Sequence, residues 1–244
     1  MNTKGIGACA VCIVASFTLT ACGGGGGGSS DPSAQATPSN VVASTASFPV
    51  SGAVTVFEQS SWAYTLSGTN TKNNKFVMQA SGVAGTTSTF EGNPSSTSVV
   101  TTNVTTNGTA GSPTTSTHYF QATPYLEFGQ LDSDGSYTVD DVSTPIYLPA
   151  SAKVGQSGQL NGATMYTDST KATALAHVAN SWSLEADTQN TAYLCNHSTY
   201  TATANGSGGG TIDNCLKINT SGTVIGMKYA ETYSGGSLTL QTVQ

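Results

Sequence analysis

Asn74-Lys75-Phe76-Val77-Met78-Gln79-Ala80 decides the fold class of this 244-residue chain. Phe76, Met78 and Ala80 fall on one side of an extended backbone and Lys75 and Gln79 on the other, a period of two that a helix of 3.6 residues per turn does not produce. The alternation recurs. Phe120, Ala122, Leu126 and Phe128 are expected on one face, opposite Gln121, Thr123 and Glu127, with Pro124 marking an edge or a bulge. Ile225, Met227 and Tyr229 alternate with Gly226, Lys228 and Ala230 in the same way.

Gly, Asn and Pro punctuate these runs at the spacing of an all-β domain. Strands are expected over 50–58, 62–68, 74–82, 86–91, 97–105, 116–130, 135–142, 158–167, 174–187, 191–203, 212–219, 223–233 and 236–243, some of them merging. The fold class is therefore mainly β: an antiparallel meander forming a half-barrel, barrel or sandwich, with little or no helix beyond the N-terminal segment. Residues 169–179 also fit a short helix, with Ser169 as cap and Ala172, Leu175, Ala176 and Ala179 as its stripe. Val178, Trp182 and Leu184 favour a strand over 174–187. The Thr- and Gly-rich stretch from Thr105 to Thr117 reads as a long loop.

Composition narrows the partners. All seven basic residues are lysine, against thirteen Asp and Glu, and the formal charge is −6. Without a guanidinium fork, and with a net negative charge, the chain is not expected to bind nucleic acid. Low charge together with abundant Ser, Thr and Gly hints at disorder, but plentiful β-branched residues and ten tyrosines favour a packed β domain.

Ahead of that domain, Met1 to Lys4 is short and basic, Gly5 to Leu19 is apolar, and Leu19-Thr20-Ala21-Cys22 is followed by six glycines, Gly23 to Gly28. This arrangement resembles the signal peptide and lipobox of a bacterial lipoprotein. The resemblance implies removal of residues 1–21, lipidation of Cys22 and a partner in the lipid bilayer reached through that cysteine. Gly23 in place of Asp points to the outer membrane in that family's sorting pattern. The apolar run of about 15 residues is short for a spanning helix, which needs about 20. Residues 22–47 are then expected to form the lipidated cysteine and a flexible Gly/Ser/Pro linker with a root-mean-square reach of about 25–30 Å, and 48–244 a single β-rich domain.

The lipobox also sorts the cysteines. Cys9 and Cys12 leave with the signal peptide and Cys22 carries lipid, so Cys195 and Cys215 remain as an expected disulfide in an oxidising compartment. Closing a loop of about 20 residues contributes about 3 kcal/mol.

Candidate chemistry is sparse. Asp132, Asp134, Asp140 and Asp141 form the densest acidic cluster and are weak calcium candidates, whereas Asp134-Gly135 is a strong hairpin-turn signal. Glu185 and Asp187 share a strand face with Ser183, opposite Trp182, and read as a solvated face rather than an acid–base pair. His118, His177 and His197 lack zinc spacing. Gly155-Gln156-Ser157-Gly158 reads as a turn, and a Ser-His-Asp site assembled from distant positions leaves no local signature. No catalytic residue, metal or cofactor is assigned. The expected function is a non-enzymatic envelope lipoprotein binding a small apolar ligand or an envelope protein. The alternatives are an anchored hydrolase acting on glycans or esters, marked by convergence of two of His118, His177, Glu185, Asp187 or Asp141 in a cleft, and a surface adhesin or structural protein.

Overall fold

The computed structural model describes residues 43–206 and 209–243. The expected signal peptide, Cys22 and all but the end of the expected linker lie outside the described residues. The elements are β1 (Ser47–Pro49), α1 (Ser51–Glu58), β2 (Trp62–Asn70), β3 (Lys75–Ala84), β4 (Ser88–Phe90), β5 (Asn93–Thr106), β6 (Thr109–Ala110), β7 (Thr114–Gln121), β8 (Leu126–Asp132) and β9 (Tyr137–Asp140). They continue with β10 (Ser151–Lys153), β11 (Ser157–Gln159), β12 (Ala163–Tyr166), β13 (Ala174–Ala186), β14 (Thr191–Ala202), β15 (Gly210–Asn219), β16 (Val224–Tyr233) and β17 (Gly236–Thr242).

Twelve strands form a closed antiparallel barrel. Around it run β2, β3, β5, β7, β8, β9, β12, β13, β14, β15, β16 and β17, and β17 returns to β2 with Leu238 opposite Asn70. Closure leaves the barrel wall without the open edges that invite intermolecular pairing. Phe76, Met78 and Ala80 point inward with Leu66, Leu216, Ile218 and Leu240, all buried in one core. The opposite faces are largely Ser and Thr, as at Thr65, Ser67 and Thr69 of β2. Apolar inside and polar outside is the wall of a barrel in water, the reverse of one facing lipid. Among the described residues no helix is long and apolar enough to cross a membrane.

The first expected strand is a helix. Val50, Ala53, Val54 and Phe57 are all buried, spaced i, i+3, i+4, i+7, and this stripe overrides the β preference of Val54, Thr55 and Val56. The helix closes one end of the barrel, where the Thr55 hydroxyl donates to the Ala122 carbonyl (2.9 Å) and Phe57 stacks on Trp62 at 4.4 Å. Gly82 permits the adjoining wall, since a Cβ there would meet the Trp62 indole at 2.3 Å. Beside the helix, β1 pairs with β10, Phe48 opposite Ala152, and both side chains enter the same core.

Two bulges correct the expected faces. The register of β7 with β8 shifts between Tyr119 and Phe120, so that Phe120 pairs with Glu127. An extra residue reverses the parity beyond it. Glu127 therefore turns in, while Leu126 and Phe128 join Phe90 and Tyr137 in a separate outer cluster. The expected strand 116–130 is thus two strands joined by a turn at 122–125. In the second case, a shift between Lys217 and Ile218 sets Val224 opposite Ile218; Ile225 is left 45 % exposed while Met227 and Tyr229 are buried. The expected strand 158–167 is divided into β11 and β12, which lie along the same edge of β13. Of the expected loop from Thr105 to Thr117, 105–110 is a tight hairpin of β5 and β6 around Asn107-Gly108 and 114–117 begins β7, and β13 begins at Ala174, so 174–186 is strand.

Inside the barrel, burial pushes the Glu58 carboxyl up to about 7, with the Ser98 hydroxyl beside it opposing the shift. Burial likewise pushes Asp132 up to about 6, although Ser116 and Gln130 both donate to it. Each group holds a proton in the folded chain at a pH where the unfolded chain has released it, so stability is fully present below about pH 4 and declines as the pH rises through these values. The raised groups Glu231 and His197 act in the same direction. The melting temperature is expected to fall between pH 5 and pH 8, with Glu58 alone contributing about 3 kcal/mol of that loss. Glu58→Gln should remove the Glu58 part of this slope in calorimetry and leave that of Asp132, Glu231 and His197; an unchanged slope would show that Glu58 is hydrated in the native state.

Candidate functional site

Beneath α1 and the segment 141–150, the barrel retains a cavity of about 60 Å³. It arises where three neighbouring strands place amides on their inward faces. Trp182 of β13 lies opposite Asn196 of β14, Asn196 opposite Asn214 of β15, and Asn214 opposite Tyr229 of β16. Trp182, Leu194 and Leu216 supply apolar wall, Val54 and Leu148 close the barrel end, and Glu127 and Asp140 are the acidic groups of the lining. Gly158 of β11 lets the backbone approach the indole, because a Cβ there would fall 2.8 Å from Trp182 Nε1.

The amides differ in how they are held. Asn180 Oδ1 accepts from the Ser198 hydroxyl at 2.8 Å, and Asn180 Nδ2 donates to the Asn161 carbonyl at 3.0 Å. Asn196 Nδ2 donates to Ser198 Oγ at 3.4 Å. Asn214 is 2 % exposed and lines the cavity, yet neither Nδ2 nor Oδ1 has a hydrogen-bond partner among the described residues. A buried amide left unsatisfied costs about 1–3 kcal/mol. A ligand presenting one donor and one acceptor would satisfy both of its ends. On the other side, Glu127 Oε1 lies 3.8 Å from Nδ1 of the buried His118.

The structure separates the residues singled out in the sequence. Asp132 points inward, Asp134 accepts the Ser136 backbone N–H in the predicted hairpin turn, Asp140 lines the cavity, and Asp141 accepts from Ser143 outside. The four aspartates thus sit in different surroundings, although the Asp134 charge still reaches Asp132 and helps to raise its pKa. His118 contacts Glu127, and His177 lies outside against Thr164. Asp187 pairs with Lys217 at 2.9 Å and accepts from Thr191. Glu185 meets Lys228 and His197 on the outer face. His118 thus lies inside the barrel and His177 and Asp141 outside it, while Glu185 and Asp187 neighbour one another on the outer face, on two lysines that both approach Tyr193.

Cys195 and Cys215 face each other across β14 and β15, with sulfurs 2.13 Å apart. Glu185 and His197 come near the Cys195 sulfur in a metal-like grouping, but a sulfur already bonded to another is no thiolate ligand. Glu127 is the site residue that the sequence hid, because the bulge that turns it inward has no local signature except Pro124 nearby. The asparagines were legible as residues on strands, though not as a row, since cross-strand register sets their alignment.

A scan against models of protein families and searches of curated proteins and of solved structures found no match to this chain. The site must be interpreted from its own chemistry. Asn214→Leu should raise the stability of the ligand-free protein by about 1–2 kcal/mol, because it removes a buried amide without breaking a hydrogen bond. Asn180→Leu should lower it by about 2 kcal/mol, because it strands Ser198 and the Asn161 carbonyl. Denaturant unfolding of both variants checks the contrast, and equal losses would contradict it.

Proposed function

We propose that this protein is a lipid-anchored bacterial envelope lipoprotein whose barrel binds a small, largely apolar molecule bearing one polar group. The observation that carries this reading is the cavity under the closed end, with the Asn214 amide facing it and apolar side chains around it. The pairing is characteristic of binding sites, in which apolar walls supply affinity and a few placed polar groups fix orientation. The lining has acids but no serine or thiol nucleophile beside a base, so the cavity favours retention over bond cleavage.

The anchor is proposed on the lipobox residues Leu19 to Cys22, and the outer membrane on Gly23. The Ser/Thr-rich outer wall supports a tethered barrel rather than a spanning one. Cys22→Ala should prevent acylation and leave the protein in the soluble fraction after cell lysis; retention in the membrane would refute the tether.

Trp62 and Trp182 are the two tryptophans of the chain, and Trp182 lines the cavity. Trp62→Phe isolates its emission. In a chain lacking residues 1–22, native mass spectrometry should find a small molecule bound one to one, and unloading it should shift the Trp182 emission. Asn214→Leu should weaken that complex at least tenfold. A protein that purifies empty, and whose Trp182 emission responds to no member of a panel of short-chain alcohols, amides and ketones small enough for that cavity, would refute the binding reading.

A further inference from the structure

The outer face of the strands that form the cavity wall carries a second, independent arrangement. Ser183, Cys195, Cys215 and Lys228 lie in one row across β13, β14, β15 and β16. The next row places Ser181 opposite His197 and His197 opposite Asp213. Two residues along its strand from each bonded cysteine, His197 and Asp213 are thus held in register by the disulfide between them. Ser183 Oγ lies 2.8 Å from His197 Nε2, and His197 Nδ1 lies 2.8 Å from Asp213 Oδ1. We propose that Ser183, His197 and Asp213 form a hydrolytic site for short-chain carboxylic esters on the outer wall of the barrel.

The two imidazole nitrogens face the groups that each role requires. Asp213 accepts the Nδ1 proton, which fixes the tautomer and leaves Nε2 to accept from Ser183. The Asp213 hydrogen bond also raises the His197 pKa, with Glu185 adding to the shift and burial and Lys228 opposing it. The site is open to solvent: His197 and Asp213 are 30 % and 38 % exposed at the side chain. Lys228, held on Glu185 at 3.2 Å, is a cation close enough to His197 to oppose its protonation, and Glu185 Oε1 also accepts from Ser183 Oγ at 3.4 Å. Tyr193 supplies a flat wall next to Lys228, whose Nζ lies 5.3 Å from the ring centroid. An aryl ester fits that wall.

In the acylation step Ser183 Oγ attacks the ester carbonyl carbon and its proton passes to His197 Nε2. The bond to the alcohol oxygen breaks, and that oxygen takes the proton from Nε2. Water then attacks the acyl carbon as His197 Nε2 accepts its proton, the bond from that carbon to Ser183 Oγ breaks, Oγ takes the proton back from Nε2, and the carboxylic acid leaves. Lys228 balances charge developing on the carbonyl oxygen. Backbone N–H groups here are committed to the strand ladder, and a missing oxyanion donor costs about 10²–10³ in rate, so turnover is slow and is best read with an activated ester.

The test uses the full mature chain with p-nitrophenyl acetate and a fluorophosphonate probe. Peptide mapping should place the label on Ser183, and the ester should give a burst of one equivalent of nitrophenol. Ser183→Ala and His197→Ala should abolish label and burst, and Asp213→Asn should slow acylation by about 10²-fold or more. The wild-type rate should rise with pH through the raised His197 pKa, with Glu185, Asp213 and Lys228 as the charged groups facing it. His177→Ala, elsewhere on the outer wall, should keep both signals. Circular dichroism shows whether each variant keeps its β structure. A label on another residue, a burst that survives Ser183→Ala in the folded protein, or equal loss in His177→Ala would overturn the proposal.

Discussion

A sheet of twelve strands that closes on itself encloses more space than the inward side chains of its own strands fill. In a barrel with a polar exterior that space must be packed or it costs stability, and the chain meets this demand with what precedes the first barrel strand. Phe48, Val50, Ala53, Val54 and Phe57 are carried into the lumen by β1 and α1, and Ala152 arrives opposite Phe48 from β10. The requirement to bury both Val54 and Phe57 against one wall is what makes 51–58 helical. An extended chain would turn one of them outward. The cavity is the remainder of the same constraint: it lies where Val54 of the plug faces Asn196 and Asn214, which take positions that Leu194 and Leu216 fill in the next inward row.

The legibility of the sequence follows from the reach of each constraint. Alternation is local, so Phe76, Met78 and Ala80 disclosed their face and the class of the fold from seven residues. The two cysteines disclosed their pairing because the chain offered few others to pair with. Glu127 and Ile225 were assigned to the wrong face because a bulge is a property of a strand pair: one added residue opposite Phe120 or beside Ile218 reverses everything after it. The helix 51–58 was hidden for a related reason. Val-Thr-Val satisfies a period of two by itself, and only the barrel end supplies the surface that selects the period of 3.6.

The same parity rule explains how one part of the wall serves two chemistries. Along β14, Leu194 and Asn196 turn into the cavity while Cys195 and His197 turn out. Register then extends each side across the sheet, the inner face giving Trp182, Asn196 and Asn214, and the outer face giving Ser183, His197 and Asp213. Neither set is contiguous in sequence. The asparagines are spaced by 16 and 18 residues, distances set by hairpin lengths and not by any motif. That is why a motif search could dismiss a Ser-His-Asp grouping while the folded sheet places all three groups within hydrogen-bonding reach.

The disulfide joins these two faces mechanically. Cys195 follows Leu194 and precedes Asn196, and Cys215 is flanked by Asn214 and Leu216, so the bond fixes β14 against β15 at the level where both sites are built. A slip of one residue between these strands would turn Asn214 to solvent and Asp213 inward, removing the cavity amide and the acid beside His197 together. A crosslink at that level resists the slip directly, in addition to whatever entropy it removes from the unfolded chain. The pair is therefore better understood as a register pin for the functional wall than as a general staple, since eleven other strand pairings already close the barrel around it.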